Sequence, residues 1–334
     1  MSFIEVKDLV REFRIPKKGE NFFQSMFSRG GTVKRVVDHL NFSIEKGEFV
    51  AYLGPNGAGK STTIKMLSGV LVPTSGTVTV NGIEPYKKRK HYSRNIGVVF
   101  GQRSQLWWDL PLIDSFKLLA KIYNLPKNQF ESKLEVFTEI LDMKSFLYTH
   151  VRKLSLGQRM RGDIAAALLH DPEILFLDEP TIGLDIIAKE KIYSFLKRMN
   201  QEMKITVLLT THYMDDVETL CDRVIFIDDG KVVFDGSKEQ LTKLFGENKH
   251  IVVKTNENAS IPLLNKGWLY KVVENEIWIP INHDTQIPSL LQEISEIVPV
   301  HSLNIREPKI EDIVKKIYVR KKESVISTEG KVHV

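Results

Sequence analysis

The stretch from Gly54 to Ser61 reads GPNGAGKS and fits the pattern G-x-x-x-x-G-K-[ST]. Glycines at this spacing let backbone N–H groups come close enough to cradle phosphate oxygens. A helical pattern follows, and the positive end of its dipole falls at the same place. The ammonium of Lys60 would reach the β- and γ-phosphates, and the Ser61 hydroxyl would ligate Mg²⁺. The residues predicted to contact phosphate are Gly54, Pro55, Asn56, Gly57, Ala58, Gly59, Lys60, Ser61 and, on the α-phosphate side, Thr62.

Two carboxylates follow the continuous apolar run Ile174–Leu177, which is typical of a strand buried on both faces of a sheet. A carboxylate at the carboxyl end of such a strand lies beside the phosphate loop in this class of sheet. Asp178 is therefore predicted to hold Mg²⁺ through water, and Glu179 to polarise the attacking water as general base. An ordinary acidic turn before Pro180 is the alternative interpretation.

A third motif, Leu154-Ser155-Leu156-Gly157-Gln158, precedes a helical pattern rich in Ala and Leu. The order and content of the motifs resemble the ATP-binding subunit of ABC transporters over roughly residues 3–245. The consensus signature of that family is LSGGQ, so this chain departs from it at Leu156 and keeps Ser155 and Gly157.

The resemblance implies further roles on the side of the nucleotide. Phe13 stands where the family places an aromatic ring that stacks on adenine; a core Phe at the end of a strand is the alternative. Gln102, in Val99-Phe100-Gly101-Gln102, is similar to the glutamine that contacts Mg²⁺ and the water and faces the membrane partner. Gln105 lies close by and is the alternative for that role.

The resemblance also implies roles at the interface between two copies. Asp185, in Gly183-Leu184-Asp185, is similar to the aspartate that works across the dimer, and His212 to the histidine that hydrogen-bonds the γ-phosphate. The signature residues of the opposite chain would complete the nucleotide site. The implied catalytic residues are Glu179, His212, Gln102 and Lys60; the implied metal ligands are Ser61, Gln102 and Asp178; the implied further nucleotide contacts are Phe13, Ser155, Gly157, Gln158 and Asp185.

In this family two copies, or one copy and a homologue, close head to tail on ATP, and hydrolysis opens them to drive separate transmembrane permease subunits. The resemblance therefore implies ATP and Mg²⁺ as ligands, an ATPase activity, and a peripheral position on the cytoplasmic face of the membrane. The run Gly101–Leu110 and the C-terminal extension resemble the ABC-2 exporter branch and its viologen or multidrug subgroup. An importer ATPase with a regulatory C-terminal domain is the alternative, and an ABC ATPase that acts on nucleic acid or ribosomes is a weaker one. No nucleic acid partner is expected.

Composition restricts the class of protein independently of the motifs. The 334 residues are 42% apolar and 27% charged, which excludes bulk disorder and a disulfide scaffold. The net charge of +5 is mild, and the short basic clusters Lys87–Lys90 and Arg320–Lys322 are read as solvated faces, with anionic lipid as the second interpretation. The single cysteine, Cys221, is predicted to be a small buried apolar residue. No signal peptide and no apolar run of about 20 residues are found, so a membrane anchor would come from another chain.

Strand and helix patterns alternate through the first part of the chain, which predicts a mostly parallel α/β sheet preceded by antiparallel strands. The family resemblance implies that the fold class is a P-loop NTPase of ABC ATPase type, with a mixed sheet core and a helical subdomain, and the C-terminal patterns predict a small α+β domain after it. The predicted domains are 1–245, with the helical subdomain at about 103–165; 246–320; and a disordered tail, 321–334.

Three smaller features are open at this point. Residues 16–32 are predicted to form an inserted surface loop. Trp107 and Trp108 either meet a partner helix or pack on the helical subdomain. In the C-terminal part, Trp268–Ile281 is predicted to be a hairpin that turns at Glu274–Asn275, and Ser289 and Gln292 are predicted to form a capping box for a helix. For that part three roles are open: dimerisation, ligand sensing, or covering the ATPase domain.

Overall fold

The computed structural model describes residues 2–15, 32–101, 103–245, 249–254, 270–273, 276–281, 287–297, 300–306 and 310–314. The predictions for Gln102, for residues 16–31, for the turn at 274–275 and for the tail 321–334 lie outside the described residues. The contacts between Cα atoms divide the chain into two units, Met1–Ser237 and Lys238–Val334.

A six-stranded sheet with the order β5-β6-β7-β3-β8-β9 forms the centre of the first unit. Every neighbouring pair in it is parallel except the last, a hairpin that turns at Asp229–Gly230. All residues of β3 and β7 are buried, as is expected for central strands covered on both faces. The strands are β3 (Phe49–Leu53), β5 (Ile96–Phe100), β6 (Ile174–Asp178), β7 (Thr206–Thr210), β8 (Arg223–Asp228) and β9 (Lys231–Ser237).

A second, antiparallel sheet has the order β2-β1-β4, formed by β1 (Ile4–Ile15), β2 (Thr32–Ile44) and β4 (Ser75–Val80). One cluster of buried apolar side chains joins both sheets to the first helix, and it includes Ile4, Tyr52 and Ile64. The antiparallel first strands and the parallel core that the sequence predicts are both present.

Seven α-helices are described in the first unit, besides the short 3-10 helix Val151–Lys153. They are α1 (Lys60–Leu67), α2 (Arg89–Tyr92), α3 (Leu112–Ile122), α4 (Lys127–Ile140), α5 (Leu156–Leu168), α6 (Ile186–Met203) and α7 (Met214–Leu220). Of these, α4 begins directly after Pro126. Proline fixes φ and lacks an N–H, so the chain that follows it starts a helix readily. Helices α3 and α5 pack closely, since a Cβ atom at Gly162 would lie 2.8 Å from Leu112 Cδ1.

The second unit is an antiparallel sheet with the order β11-β12-β10-β13 and its own small apolar core around Ile251, Ile279 and Ile294. Its elements are α8 (Lys238–Phe245), β10 (Lys249–Lys254), β11 (Lys271–Val273), β12 (Glu276–Ile281), α9 (Ile287–Ile297) and β13 (Ser302–Arg306). Strands β11 and β12 pair antiparallel, as the hairpin prediction requires.

The predicted capping box at Ser289 and Gln292 is wrong. Helix α9 begins at Ile287, so Ser289 lies inside its first turn and not at the position before the helix. Pro288 explains the earlier start, because proline is favoured in the first turn, where a backbone N–H has no partner within the helix.

Candidate nucleotide site

The phosphate loop, the two carboxylates and the histidine meet at one edge of the central sheet. Strands β6, β7 and β3 are parallel neighbours, so the segments that follow them leave from the same edge. The Thr210 hydroxyl at the end of β7 donates to Asp178 Oδ1 over 2.6 Å, and the Ser61 hydroxyl donates to the same oxygen over 3.3 Å. The structure therefore brings these sequence-predicted residues together.

The phosphate loop follows a path that side chains would obstruct. A Cβ atom at Gly54 would lie 2.3 Å from the carbonyl oxygen of Ile227. Gly59 has φ of +102°, and a Cβ atom there would lie 2.7 Å from the carbonyl oxygen of Val36. Both glycines are needed for this close approach of backbone to backbone.

The Lys60 ammonium is held at this loop. The residue is buried, and Nζ donates to the carbonyl oxygens of Gly54 over 2.6 Å and Pro55 over 3.1 Å. Burial lowers the pKa of Lys60, and the nearby charges of Glu179 and Asp178 oppose that shift. A phosphate group entering the loop would find a partly desolvated cation, which strengthens their attraction.

Glu179 and His212 contact each other through their side chains, with His212 Nε2 2.8 Å from Glu179 Oε1. The backbone of Glu179 is left-handed, with φ of +57°, a conformation that costs on the order of 1 kcal/mol or more for a residue with a side chain. Its amide donates to the Thr210 carbonyl oxygen over 3.0 Å, which helps to hold it there. The strained residue is the predicted general base.

The oxygens of Ser61 and Asp178 fit Mg²⁺, which prefers oxygen ligands and keeps several waters. Among the described residues, no group of three or more His, Cys, Asp and Glu side chains could hold a metal ion. A cation at this edge would thus take its other ligands from water and phosphate. Gly101, which follows β5, lies at the same place, because its N–H donates to the Asp178 carbonyl oxygen over 2.7 Å.

The signature motif begins α5 as a capping box. Ser155 Oγ accepts from Gln158 N over 3.2 Å, and Gln158 Oε1 accepts from Ser155 N over 2.9 Å. A Cβ atom at Gly157 would lie 3.3 Å from Ala188 Cβ. Asp185 caps the neighbouring α6, where its Oδ1 accepts from Ala188 N over 2.7 Å. The signature segment and the segment that follows Glu179 are therefore in contact within one chain.

Leu156, the departure from the consensus, packs at this contact. A Cβ atom built on Gly183 would lie 3.1 Å from Leu156 Cδ2, so the leucine occupies space beside the glycine. Gly183 has a positive φ of +69°. Leu156 is thus accommodated by packing within the chain.

The comparisons with known proteins agree with this geometry. A family model described as "ABC transporter" matches residues 37–182. The linearmycin resistance ATP-binding protein LnrL of Bacillus subtilis (strain 168) is 33% identical over 287 residues, which are 83% of this chain and 92% of that protein. The chain belongs to the family of ABC transporter ATP-binding proteins.

Another relative is the Nod factor export ATP-binding protein I of Cupriavidus metallidurans (strain CH34). It is 38% identical over 207 residues, or 62% of this ABC ATPase and 67% of that protein. A dimeric structure of the ATP-binding cassette MJ0796, in a post-hydrolysis state bound to ADP and Pi, matches with a TM-score of 0.60 and 26% identity. That match covers 70% of this chain and 98% of the other. The predicted fold class and family are confirmed, and the chain is an ATPase.

Two aromatic sites of this ABC ATPase are exposed. Phe13 is 37% exposed, which excludes the alternative that it is a core residue. The Arg11 guanidinium lies 4.6 Å from the centroid of its ring. Trp107 and Trp108 are 37% and 51% exposed, so they are not buried against the helical subdomain. The Arg159 guanidinium, from α5, lies 5.1 Å from the Trp108 ring. Adenine stacking by Phe13 stays a prediction.

Sequence reasoning missed a buried carboxylate that contacts Ser104 and Gln105. Asp163, on α5, accepts from Ser104 Oγ over 2.9 Å and from Gln105 N over 3.0 Å, and burial raises its pKa to about 6. Gln105 Nε2 also donates to the Asp163 carbonyl oxygen over 3.0 Å, so this amide is engaged with α5. An aspartate within the Ala-rich, apolar stretch of a helix was the available signal.

A second missed carboxylate is Asp216, near the start of α7. It is fully buried and accepts hydrogen bonds from three hydroxyl groups, those of Thr181, Tyr193 and Thr211. The sequence places these donors up to 35 residues away, and only the fold brings them together.

The described helices can be compared with the requirements for crossing a membrane. Among the described residues, no helix combines the length and the apolar character that crossing a bilayer requires.

Proposed function

We propose that this ABC ATPase powers export through separate transmembrane subunits at the cytoplasmic face of a membrane. The observation that carries the ATP-driven part is the shared edge of the sheet, where Ser61, Asp178 and the Glu179–His212 pair converge. The direction of transport is supported by the relatives, whose names include linearmycin resistance and Nod factor export. An importer remains the alternative direction.

In this proposal the γ-phosphate competes with Glu179 for His212. The imidazole Nε2 now lies 2.8 Å from Glu179 Oε1. When a triphosphate enters the loop, the same nitrogen turns to a γ-phosphate oxygen and hydrogen-bonds it. The released carboxylate then accepts a hydrogen bond from the attacking water and takes its proton.

The remaining residues neutralise and orient the phosphates. Lys60 and the loop N–H groups bind the β- and γ-phosphates. Ser61 and Asp178, together with Gln102, would hold Mg²⁺, which neutralises charge on the phosphate oxygens when bound. Phe13 stacks on the adenine, with the face of its ring that Arg11 leaves free.

Dimerisation is part of the same proposal. Ser155 Oγ and the helix N-terminus behind it present hydrogen-bond donors at the start of α5. A second copy, or a homologous ATPase, would bring its own Ser155 and Gly157 to the phosphates bound at Lys60, while Asp185 works across the interface. The dimeric state of the MJ0796 cassette supports this arrangement.

The membrane subunits are proposed to dock beside Gln102. The exposed rings of Trp107 and Trp108 follow that residue closely in the chain and present an apolar surface with the Arg159 guanidinium beside it. Large exposed apolar side chains that lie together mark interaction surfaces.

The direction of transport can be tested in everted membrane vesicles that contain the ATPase with its membrane subunits. Hoechst 33342 serves as the probe, because the proposed branch includes multidrug exporters. Added ATP should drive dye into the vesicles, and Glu179→Gln should abolish that uptake. ATP-dependent release of preloaded dye would contradict export, and no movement in either direction would contradict a multidrug substrate.

A further inference from the structure

The carboxylate of Asp216 is a junction between three segments of the chain. It is 0% exposed, and Thr181 and Thr211, which donate to it, are 0% and 2% exposed. Asp216 Oδ2 accepts from Thr181 Oγ1 over 2.6 Å and from Thr211 Oγ1 over 2.5 Å. Its other oxygen, Oδ1, accepts from the Tyr193 hydroxyl.

Each donor is tied to a different functional segment. Thr181 comes two residues after Glu179, and Thr211 immediately precedes His212. Tyr193 lies on α6, the helix that Asp185 caps. One carboxylate therefore links the segment of the predicted general base, the segment of its histidine partner and the helix behind the predicted dimer contact.

The junction presents three hydroxyl donors to one carboxylate. Such a group only accepts hydrogen bonds, and each of its two oxygens has room for two donors. Bonds of this charged kind are about twice as strong as neutral ones. The start of α7 contributes a favourable partial charge. Burial and the contact with Asp216 raise the pKa of Tyr193, so its phenol stays a donor.

We propose that Asp216 is a positioning residue that holds Glu179 and His212 in register for hydrolysis and joins them to α6. The proposal rests on the function proposed above, in which Glu179 and His212 act on the nucleotide. The left-handed backbone of Glu179 needs such support, because strained residues persist only where their surroundings over-determine them. Asp216 itself touches neither the nucleotide nor the water.

The test compares Asp216→Asn with Asp215→Asn. Both substitutions remove one negative charge from the first turn of α7, but Asp215 is exposed. An amide offers only one acceptor atom, so Asp216→Asn loses the oxygen shared by the two threonines or the one that serves Tyr193. We expect kcat for ATP to fall by about 10²-fold with KM nearly unchanged, since small misplacements near the reacting atoms cost that much. Asp215→Asn should keep the wild-type kcat.

A second pair of variants answers the case in which Asp216→Asn does not fold. Thr211→Val removes the hydroxyl at constant shape, and Thr211→Ser keeps it. We expect kcat to fall about 10-fold or more in the valine variant and to stay near wild type in the serine variant, at equal KM. Equal kcat in both, or a rise in KM that accounts for the loss, would overturn the positioning role.

Failure of this inference differs from failure of the proposed function. If Glu179→Gln abolishes hydrolysis while Asp216→Asn and Thr211→Val keep the wild-type kcat, only the role of Asp216 is wrong. If Glu179→Gln hydrolyses ATP at the wild-type rate, the assignment of the base is wrong, whatever Asp216 does.

Discussion

The sheet edge and the signature segment use their polar groups in opposite ways. At the edge, polar groups from distant parts of the chain bond one another, as in Ser61–Asp178 and Glu179–His212. In the signature segment, Ser155 and Gln158 bond one another within a single turn. The first arrangement assembles polar groups from distant parts of one chain, whereas the second makes a stable helix start. In the proposed function the first groups are catalytic, and the second segment acts on the nucleotide bound by another copy.

This contrast predicts where substitutions act. Changes at the edge should alter the chemical step and leave the fold intact, because the strands beneath it are buried independently of the site. Changes in the signature segment should alter helix stability and dimer function together, and the two effects can be separated by choosing the new side chain.

The largest effect is expected for Glu179→Gln. The amide keeps the shape of the side chain and still accepts from His212, but it cannot take a proton from water. Hydrolysis should fall by about 10²- to 10⁴-fold, the usual contribution of a general base, with ATP affinity retained. Steady-state phosphate release and equilibrium binding of a fluorescent ATP analogue measure the two quantities. A near-wild-type rate would remove Glu179 from the mechanism.

A smaller effect is expected for Asp163→Asn, at the point where α5 holds the segment after Gln102. The folded-state pKa of Asp163 is raised from 3.8 to about 6, so the folded protein binds this proton more tightly than the unfolded chain does. The free energy of unfolding of the wild type should therefore rise relative to that of Asp163→Asn as the pH falls. The expected change in the difference is about 2 kcal/mol between pH 7.5 and 4.5.

Urea unfolding of both proteins at the two pH values measures this difference. Asparagine keeps an acceptor for Ser104 and Gln105, so the hydrogen-bond geometry is matched. Parallel pH dependence in the two proteins would mean that the Asp163 carboxylate titrates as it does in the unfolded chain.

The smallest effect on stability is expected at Ser155. Two substitutions there separate its role as the cap of α5 from its proposed contact with the partner's phosphates. Ser155→Ala removes the helix cap and should cost about 1 kcal/mol. Ser155→Asp keeps the cap but places a negative charge where a partner's phosphates would bind. We expect thermal stability near wild type for the aspartate variant, with ATPase activity lost in both. Full activity in the aspartate variant would contradict the role of Ser155 in the dimer.

Sequence reasoning found the residues that belong to motifs of consecutive positions. The phosphate loop from Gly54 to Ser61 and the pair Asp178–Glu179 are local patterns, and the parallel order of strands follows from the alternation of strand and helix. The family resemblance implied separate roles at the nucleotide for Glu179 and His212, but the contact between them was not predicted, because 33 positions separate them and nothing local joins them.

The missed features depend on the fold. Asp163 and Asp216 lie in helices and find their donors up to 59 and 35 positions away. Strand β5 is a five-residue run containing Gly97, which weakens its local signal. The pattern Ser-x-x-Gln occurs at both Ser155 and Ser289, but only Ser155 directly precedes its helix, because Pro288 starts the other helix earlier.

The ATP-driven closure of two copies is most directly tested by size exclusion with light scattering. Glu179→Gln and wild type are run with ATP and Mg²⁺, and again without nucleotide. The proposed function predicts that the variant binds ATP and elutes with the mass of two chains only when ATP is present, while the wild type returns to one chain as it hydrolyses ATP. A variant that stays at the mass of one chain with ATP bound would contradict closure by the ATPase alone, and a variant that binds no ATP would contradict the nucleotide site itself.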